Sequence, residues 1–548
     1  MNLRQFFIVT LILCPQFAFA QDDSNSEKTK NNANNSYREI IYNVNRSSDP
    51  KNTTRPDWAT GNYFKLTISP QKFSYPILKH RLNVSLSFIE YENAYPFYVE
   101  AKKEFDKVKN ERLRICWQSE EYRKLDKNEF KQIRQLEYDY FPLYMSYYLT
   151  NGEVVRVSAD KEAEIYDKLS HVYKLLEKGS RSRYYKWGDK NDLNGIVTTL
   201  PFIDYVRELE RYLASKADWE IRNGKYDEAT KTIRVGLAFG DHIINSAPST
   251  LVSILVGVAI NGTMHRQILH LIGQSNSPNL YPELTQIRRN VKALTDGINA
   301  EENFIFFKPI RPEIWDNYDN LSAAESKQIV EQLADLSYFG GFGNNLLYNL
   351  SYDEFCQKNK INRSRMLSVF CAFSYQPAKE RLRERGMSDE KINSLSIYQV
   401  IAPYAIEKIA HAYGLMKVSI TMQSSEISDS KIFTGSDWVE KELILFSSVD
   451  VLLRLFLPAL GVSRKSMERL DQIYNLIKII EAIRYYVAVH DGKLPESLDA
   501  IKDVPISKNC LTTGKPYVYK VEGKTITIDY TNGYNKSKLD SRLELVVE

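Results

Sequence analysis

The chain is 548 residues long, 43% hydrophobic and 26% charged, with 73 Lys and Arg against 69 Asp and Glu for a net charge of +4. That length exceeds the ~100–200 residues of an ordinary domain, so roughly two to four folded units are expected, and the apolar content suffices for real cores. The charges are interspersed, with no basic block of the kind that follows phosphates, which argues against a nucleic-acid partner.

At the start of the chain, Arg4, the apolar run Phe6 to Leu13 and the small-x-small pattern Ala18 to Ala20 read as a cleavable signal peptide over residues 1–20. The protein is therefore expected to be exported, to the periplasm or outside the cell. A lipoprotein reading at Cys14 meets Leu13, which is larger than lipobox processing wants. Residues 21–60 are rich in Asn, Ser, Asp and Lys and too poor in apolar residues to offset ordering entropy, so a disordered spacer is expected there.

Helical spacing dominates residues 61–277. In "RYLASKADWEIRNGKYDEATKTIRVGLAFGDHI", Asn223 and Gly224 supply a helix stop, and Leu213, Ala217, Ala229, Ile233, Gly236 and Leu237 fall where two antiparallel helices touch. Gly224, Tyr226 and Ala229 resemble the middle of a tetratricopeptide unit, but no second copy follows at a period of ~34 residues, so an ordinary helix hairpin is expected. The weakly charged window Ile243 to Met264 contains Asn245, Pro248 and Asn261 and reads as a buried helix. Residues 278–461 form a second helical region packed on the first. Its last apolar run, 449–462, is broken by Arg454 and Pro458, so no transmembrane anchor is expected once the leader is cleaved.

Residues 462–548 change character. Ile473, Leu476, Ile480, Ile483 and Val487 make one apolar stripe on a helix from about Lys465 to His490, which Gly492 ends in a left-handed turn. Pro495 and Glu496 suit the first turn of a short helix whose Leu498 and Ile501 point back to the core. A two-residue turn at Glu522 and Gly523 would set Val521 opposite Lys524, Tyr519 opposite Ile526 and Tyr517 opposite Ile528, giving the hairpin one apolar face. "RLELVV" (542–547) offers a third strand. The expected fold is thus mainly α: a multi-helix, helix-hairpin body with a small C-terminal α+β module, a long helix packed on a β-hairpin or three-stranded antiparallel sheet.

Chemistry-bearing motifs are sparse. Four cysteines survive leader cleavage (Cys116, Cys356, Cys371, Cys510). Cys356 with Cys371 is the shortest disulfide closure, worth ~3 kcal/mol if formed, and four reduced, buried thiols are the alternative. HExxH, GxSxG, CxxC and the phosphate-binding loop are all missing, and no metal or cofactor is expected. His265 and His270 are five apart, so on one helix they diverge and cannot share a metal; satisfied core or surface histidines are the default. Glu301 with Glu302, and Asp189 with Asp192 beside Trp187, are the carboxylate pairs available for acid and base roles, although adjacent carboxylates on a helix point apart and solvated or capping roles suit them better.

The order helix, H-x-G-x-LPxSL (His490 to Leu498), TGKPYxY (Thr513 to Tyr519) and hairpin resembles the periplasmic tail of the type II secretion major pseudopilins, in which a long helix packs on a small antiparallel sheet. Here the helix is internal and amphipathic, and "SKNC" (507–510) stands where those tails carry Asp-Pro. More widely, "ENAYPFYVEA" (92–101), "KWGDKNDLNG" (186–195), "STLVSILVGVAI" (249–260), "SPNLYPEL" (277–284) and "YQPAKERLRERGMSDEKINSLSIYQVI" (375–401) resemble a set of exported, mainly helical bacterial proteins without an assigned activity. The resemblance supplies no catalytic residue. The expectation is a noncatalytic exported protein that binds a protein partner of the cell envelope or a secretion system; the alternative is a hydrolase of glycan or peptide using Asp or Glu as acid and base.

Overall fold

The computed structural model describes residues 63–84, 89–117, 147–150, 153–156, 159–188, 203–287, 291–300, 320–341, 363–421, 448–530 and 541–548. The expected leader at 1–20 and the expected spacer at 21–60 lie outside them. As expected, the described chain is mainly helical with a small C-terminal sheet; that sheet is four-stranded and mixed, three C-terminal strands being joined by Tyr63–Ile68, where three antiparallel strands were expected.

Strand β1 (Tyr63–Ile68), β2 (Glu90–Asn93) and α1 (Tyr95–Trp117) come first, then the hairpin β3 (Tyr147–Thr150) and β4 (Glu153–Arg156). Helices α2 (Ala159–Lys168) and α3 (Ser170–Ser180) lead into β5 (Ser182–Tyr184), which pairs with β2 in parallel. The stretch read as helical therefore carries five strands as well. Helices α4 (Ile203–Arg222) and α5 (Tyr226–Ile244) form the hairpin expected from Asn223 and Gly224. Gly224 takes φ +68°, and the Lys225 N–H turns back to Glu220 O at 2.9 Å, so the carbonyls at the end of α4 are partly satisfied by the turn itself.

Helix α6 (Leu251–Ile272) starts on a capping box, in which the Thr250 and Ser253 side chains each accept the other residue's backbone N–H. It is buried along most of its length because α5 lies unusually close. A Cβ on Gly257 would sit 2.5 Å from Gly240 O and 2.8 Å from Ile244 N, and one on Gly240 would strike the Asn261 amide. Glycine at those two positions sets the helix separation.

The remaining helices are α7 (Tyr281–Leu284), α8 (Val291–Ala300), α9 (Ala323–Gly341), α10 (Arg363–Glu384), α11 (Asp389–Ser394), α12 (Ile397–Thr421) and α13 (Ser448–Val489). Helix α13 is 42 residues long and begins well before the expected Lys465. Its Met467 and Leu470 belong to one apolar cluster, built with α8, α9, α10 and α12, while Leu476, Ile480, Ile483 and Val487 belong to the other, built with α1, α3, α4 and the sheet. Helices α5 and α6 also contribute to both. Each aliphatic side chain withdrawn from water in this way contributes ~1.5–3 kcal/mol. Among the described residues, no helix is long and apolar enough to cross a membrane.

A 3₁₀ turn (Leu498–Ala500) precedes β6 (Val518–Glu522), β7 (Thr525–Tyr530) and β8 (Ser541–Val547). The sheet order is β1-β8-β7-β6. β6, β7 and β8 are antiparallel, and β1 closes the far side in parallel to β8, from Tyr63 opposite Arg542 to Ile68 opposite Val547. The hairpin register differs from expectation: Glu522 faces Thr525, Val521 faces Ile526 and Tyr519 faces Ile528, so the turn is Gly523-Lys524. Gly523 takes φ +59° at the first central position, the place a type II′ turn reserves for glycine. The apolar faces are unchanged, because moving the turn by one residue shifts the cross-strand sum by two.

The first strand is tied to the last helix by a buried ion pair. Arg484 Nη1 meets Glu481 Oε2 at 2.8 Å with both side chains fully buried. The same guanidinium donates to Ser69 O, Pro278 O, Ser277 O and Ser277 Oγ, while Glu481 Oε1 accepts the Leu280 N–H. Every guanidinium proton and both carboxylate oxygens thus have a partner, which is the condition under which a buried pair is tolerated.

Candidate docking edge and cleft of the C-terminal module

The end of α13 sets up the module. Gly492 takes φ +79°, and its N–H bonds to Val487 O at 3.0 Å. The chain then folds back so that Leu498 and Ile501 are buried, and the Tyr519 hydroxyl donates to Pro495 O at 2.8 Å. Deeper in, Gln472 and Asn475 of α13 both donate to the Tyr517 hydroxyl at 2.8 Å, and Gln472 Oε1 accepts the Leu511 N–H. Burial pushes the Tyr517 phenol well above its ordinary value, so it stays neutral and able to receive those bonds. His490 stacks on Tyr486 at 4.0 Å and reaches Asp503 at 3.2 Å. Where the helix end, the 3₁₀ turn and the β6–β7 turn meet, a cleft of about 590 Å³ opens, lined among others by Tyr486, Lys493, Leu494, Glu496, Lys524 and Glu548. Two cations and two carboxylates around an aromatic ring suit main-chain and charged groups of a peptide better than a single ion.

Beside the cleft runs β6, the outer strand of the sheet. Residues flanking a two-residue hairpin turn exchange both main-chain hydrogen bonds, so Glu522, Lys520 and Val518 bond to β7 while Val521 and Tyr519 turn theirs outward. The parity is visible one step earlier, where Tyr517 N–H bonds outward to Lys508 O at 3.1 Å and Asn509 bridges Pro516 antiparallel. The segment 508–510 thus already begins the next strand and then leaves the edge. Beyond it, among the described residues, β6 has no strand on its outer side. Val518 is 53% exposed and Val521 36%. On the opposite side β1 pairs with β8 and is itself the other outer strand.

Glu301, Glu302, Asp189, Asp192 and Cys356 lie outside the described residues. Cys371 of α10 is buried, with burial pushing its thiol up, and Cys510 is buried with its Sγ 3.0 Å from Thr512 Oγ1; among the described residues neither forms a disulfide. Trp187 is buried, with its indole N–H donating to Pro248 O at 3.0 Å. His265 and His270 do diverge: His270 meets Asp218 at 3.1 Å, whereas His265 packs edge-on against the Tyr474 ring. Burial raises the Asp218 carboxyl, but His270 and Arg222 outweigh it and hold the group below the usual carboxylate range.

Burial lowers three of the histidines, His80 among them. His242 is satisfied, with Nδ1 2.7 Å from the Tyr98 hydroxyl and Nε2 2.8 Å from Ser182 O; burial lowers it to about 4 against the pull of the Ser182 carbonyl. His265 overturns the expectation of satisfied histidines, since it is 1% exposed with neither ring nitrogen hydrogen-bonded, and burial lowers it to about 3. Nearby, Asn261 donates to Asp241 at 2.8 Å; surrounding protein pushes that carboxyl up to about 6, although its edge is open to solvent. Among the described residues, no three His, Cys, Asp or Glu side chains converge to hold a metal. The Arg484–Glu481 pair escaped the sequence reading because its partners come from residues more than 200 positions away. The chain matches no protein-family model, no curated protein and no solved structure.

Proposed function

We propose that this chain is an exported, noncatalytic helical protein that binds a protein of the cell envelope or a secretion system by accepting one of its extended segments along β6. One observation carries the reading: the main-chain groups of Tyr519 and Val521 face an unpaired edge, flanked by exposed Val518 and Val521. An open strand of this kind pairs with an incoming strand through its backbone, and Val518 and Val521, on opposite faces of the strand, each favour an apolar neighbour on the partner. The cleft at the turn end would receive the residues that follow, with Lys493 and Lys524 set against Glu496 and Glu548. The secretory leader at 1–20 and the pseudopilin-like order of the tail support an envelope setting.

The test is cross-linking in intact cells with affinity-tagged full-length protein, comparing the parent with Val521→Pro. Proline there removes an outward N–H and leaves the β7 ladder intact. A second variant, Val518→Lys with Val521→Lys, charges the edge without touching the backbone. Specific partners lost from both variants, at unchanged melting temperature, support strand addition; partners retained by a folded variant refute it.

A further inference from the structure

Between β1 and β2 the chain throws out a loop that the strand-addition reading does not use. Its two ends are fixed. Phe73 stacks on Tyr485 at 3.9 Å and bridges Asn279, and Gln71 N–H bonds to Arg484 O. At the other end His80 is buried, its N–H donating to Glu283 Oε1 and its Nδ1 lying 3.1 Å from Asp227. A turn closed by Lys79 N–H to Pro76 O carries the tip. Tyr75, at 97% exposure, and Ile77, at 60%, stand out from it with Pro76 between them.

An anchored loop that holds an aromatic ring almost wholly in water has a convex apolar tip. Protein hot spots usually seat in pockets rimmed by other contacts, whereas a convex tip suits a soft, continuous phase. The charges around it point the same way. Lys72, Lys79 and Arg81 are all exposed at the loop's base; Asp227 is shared by Lys79 at 3.4 Å and His80, and the buried Glu283 is held by the His80 N–H. Apolar tip and cationic collar together match the headgroup boundary of an anionic bilayer, where tyrosine is at home and lysine and arginine meet phosphates.

We propose that the 74–79 loop is a membrane-contacting tip, with Tyr75, Pro76 and Ile77 entering the boundary of an anionic lipid surface and Lys72, Lys79 and Arg81 bearing on its headgroups. The test is sedimentation of the full chain with vesicles of phosphatidylcholine alone or of equimolar phosphatidylcholine and phosphatidylglycerol. Residues 1–20 are common to every variant and cancel in the comparison. Tyr75→Ser with Ile77→Ser should lower the partition coefficient on the mixed vesicles at least about tenfold, with the melting temperature unchanged. Lys72→Glu with Arg81→Glu should abolish the preference for phosphatidylglycerol, and Tyr75→Trp should add blue-shifted emission on the mixed vesicles. Equal binding by the parent and the serine variant, or no binding by the parent, overturns the proposal. So does loss of a cross-linked protein partner from the serine variant when no vesicle is bound, which would make the tip a protein-docking site.

Discussion

His265 shows how little a single buried side chain discloses of itself in sequence. On α6 it occupies an apolar face where the neutral expectation was a satisfied ring, and only the approach of Tyr474, more than 200 residues on, strips it of partners. A buried polar atom left unpaired costs ~1–3 kcal/mol. His265→Phe keeps an edge-on aromatic contact and removes two such atoms, so urea unfolding at neutral pH should show a gain of ~1–3 kcal/mol. The acid response should change too. In the native protein the ring stays neutral down to about 3, whereas in the unfolded chain it protonates below its ordinary 6.5. The unfolded state therefore binds the extra proton throughout that window, and this residue's share of stability, intact above 6.5, falls by about 1.4 kcal/mol per pH unit as pH drops towards 3. The Phe variant should lose that share of the slope, and an unchanged slope would mean the ring is hydrated.

At the scale of elements, the contact between α5 and α6 depends on glycine at particular places. Gly257→Ala would put a methyl against two backbone atoms, neither of which can rotate away, and should cost ~1–3 kcal/mol or more in urea unfolding. Gly262, five residues further along the same helix, has nothing within 4 Å of its missing Cβ, so Gly262→Ala should stabilise by ~0.4–1 kcal/mol. A pair of equal effects would show that helix propensity and not helix separation governs both. The elements most legible in the sequence were those whose causes are local. Asn223 and Gly224 end a helix by their own conformational preference, and the stripe from Ile473 to Val487 announces its face by spacing alone. The hairpin face was readable because alternation survives a one-residue shift; the turn was not, since a glycine suits the first central position of one turn type and the second of another. β1 gave no signal among helical neighbours, because what makes it a strand is β8. The open edge beside the cleft was hidden for the same reason: which strand lies outermost depends on β1 taking the other side.

Taken whole, the molecule is tied together by helices that serve two interiors. Because α13 supplies Met467 and Leu470 to one cluster and Leu476, Ile480, Ile483 and Val487 to the other, neither interior closes without it. A chain ended after Gly461 should therefore lose most of its helical circular dichroism signal and become freely cleavable by protease. A folded, protease-resistant fragment would instead show that the C-terminal portion is an attachment. The last strand carries a further consequence, one of timing. Ser69 at the end of β1 meets Glu548 across 479 residues of chain, and between them the Arg484 cluster must also form. Ribosomes add ~5–20 residues each second, so β1 waits roughly half a minute to a minute and a half for its neighbour to be made. Throughout that interval the segment lacks the strand it pairs with and is open to any other strand it meets. Completion of the sheet thus acts as a record that the far end has been made, and a helper that holds the early segment extended would speed arrival at the native state without altering it.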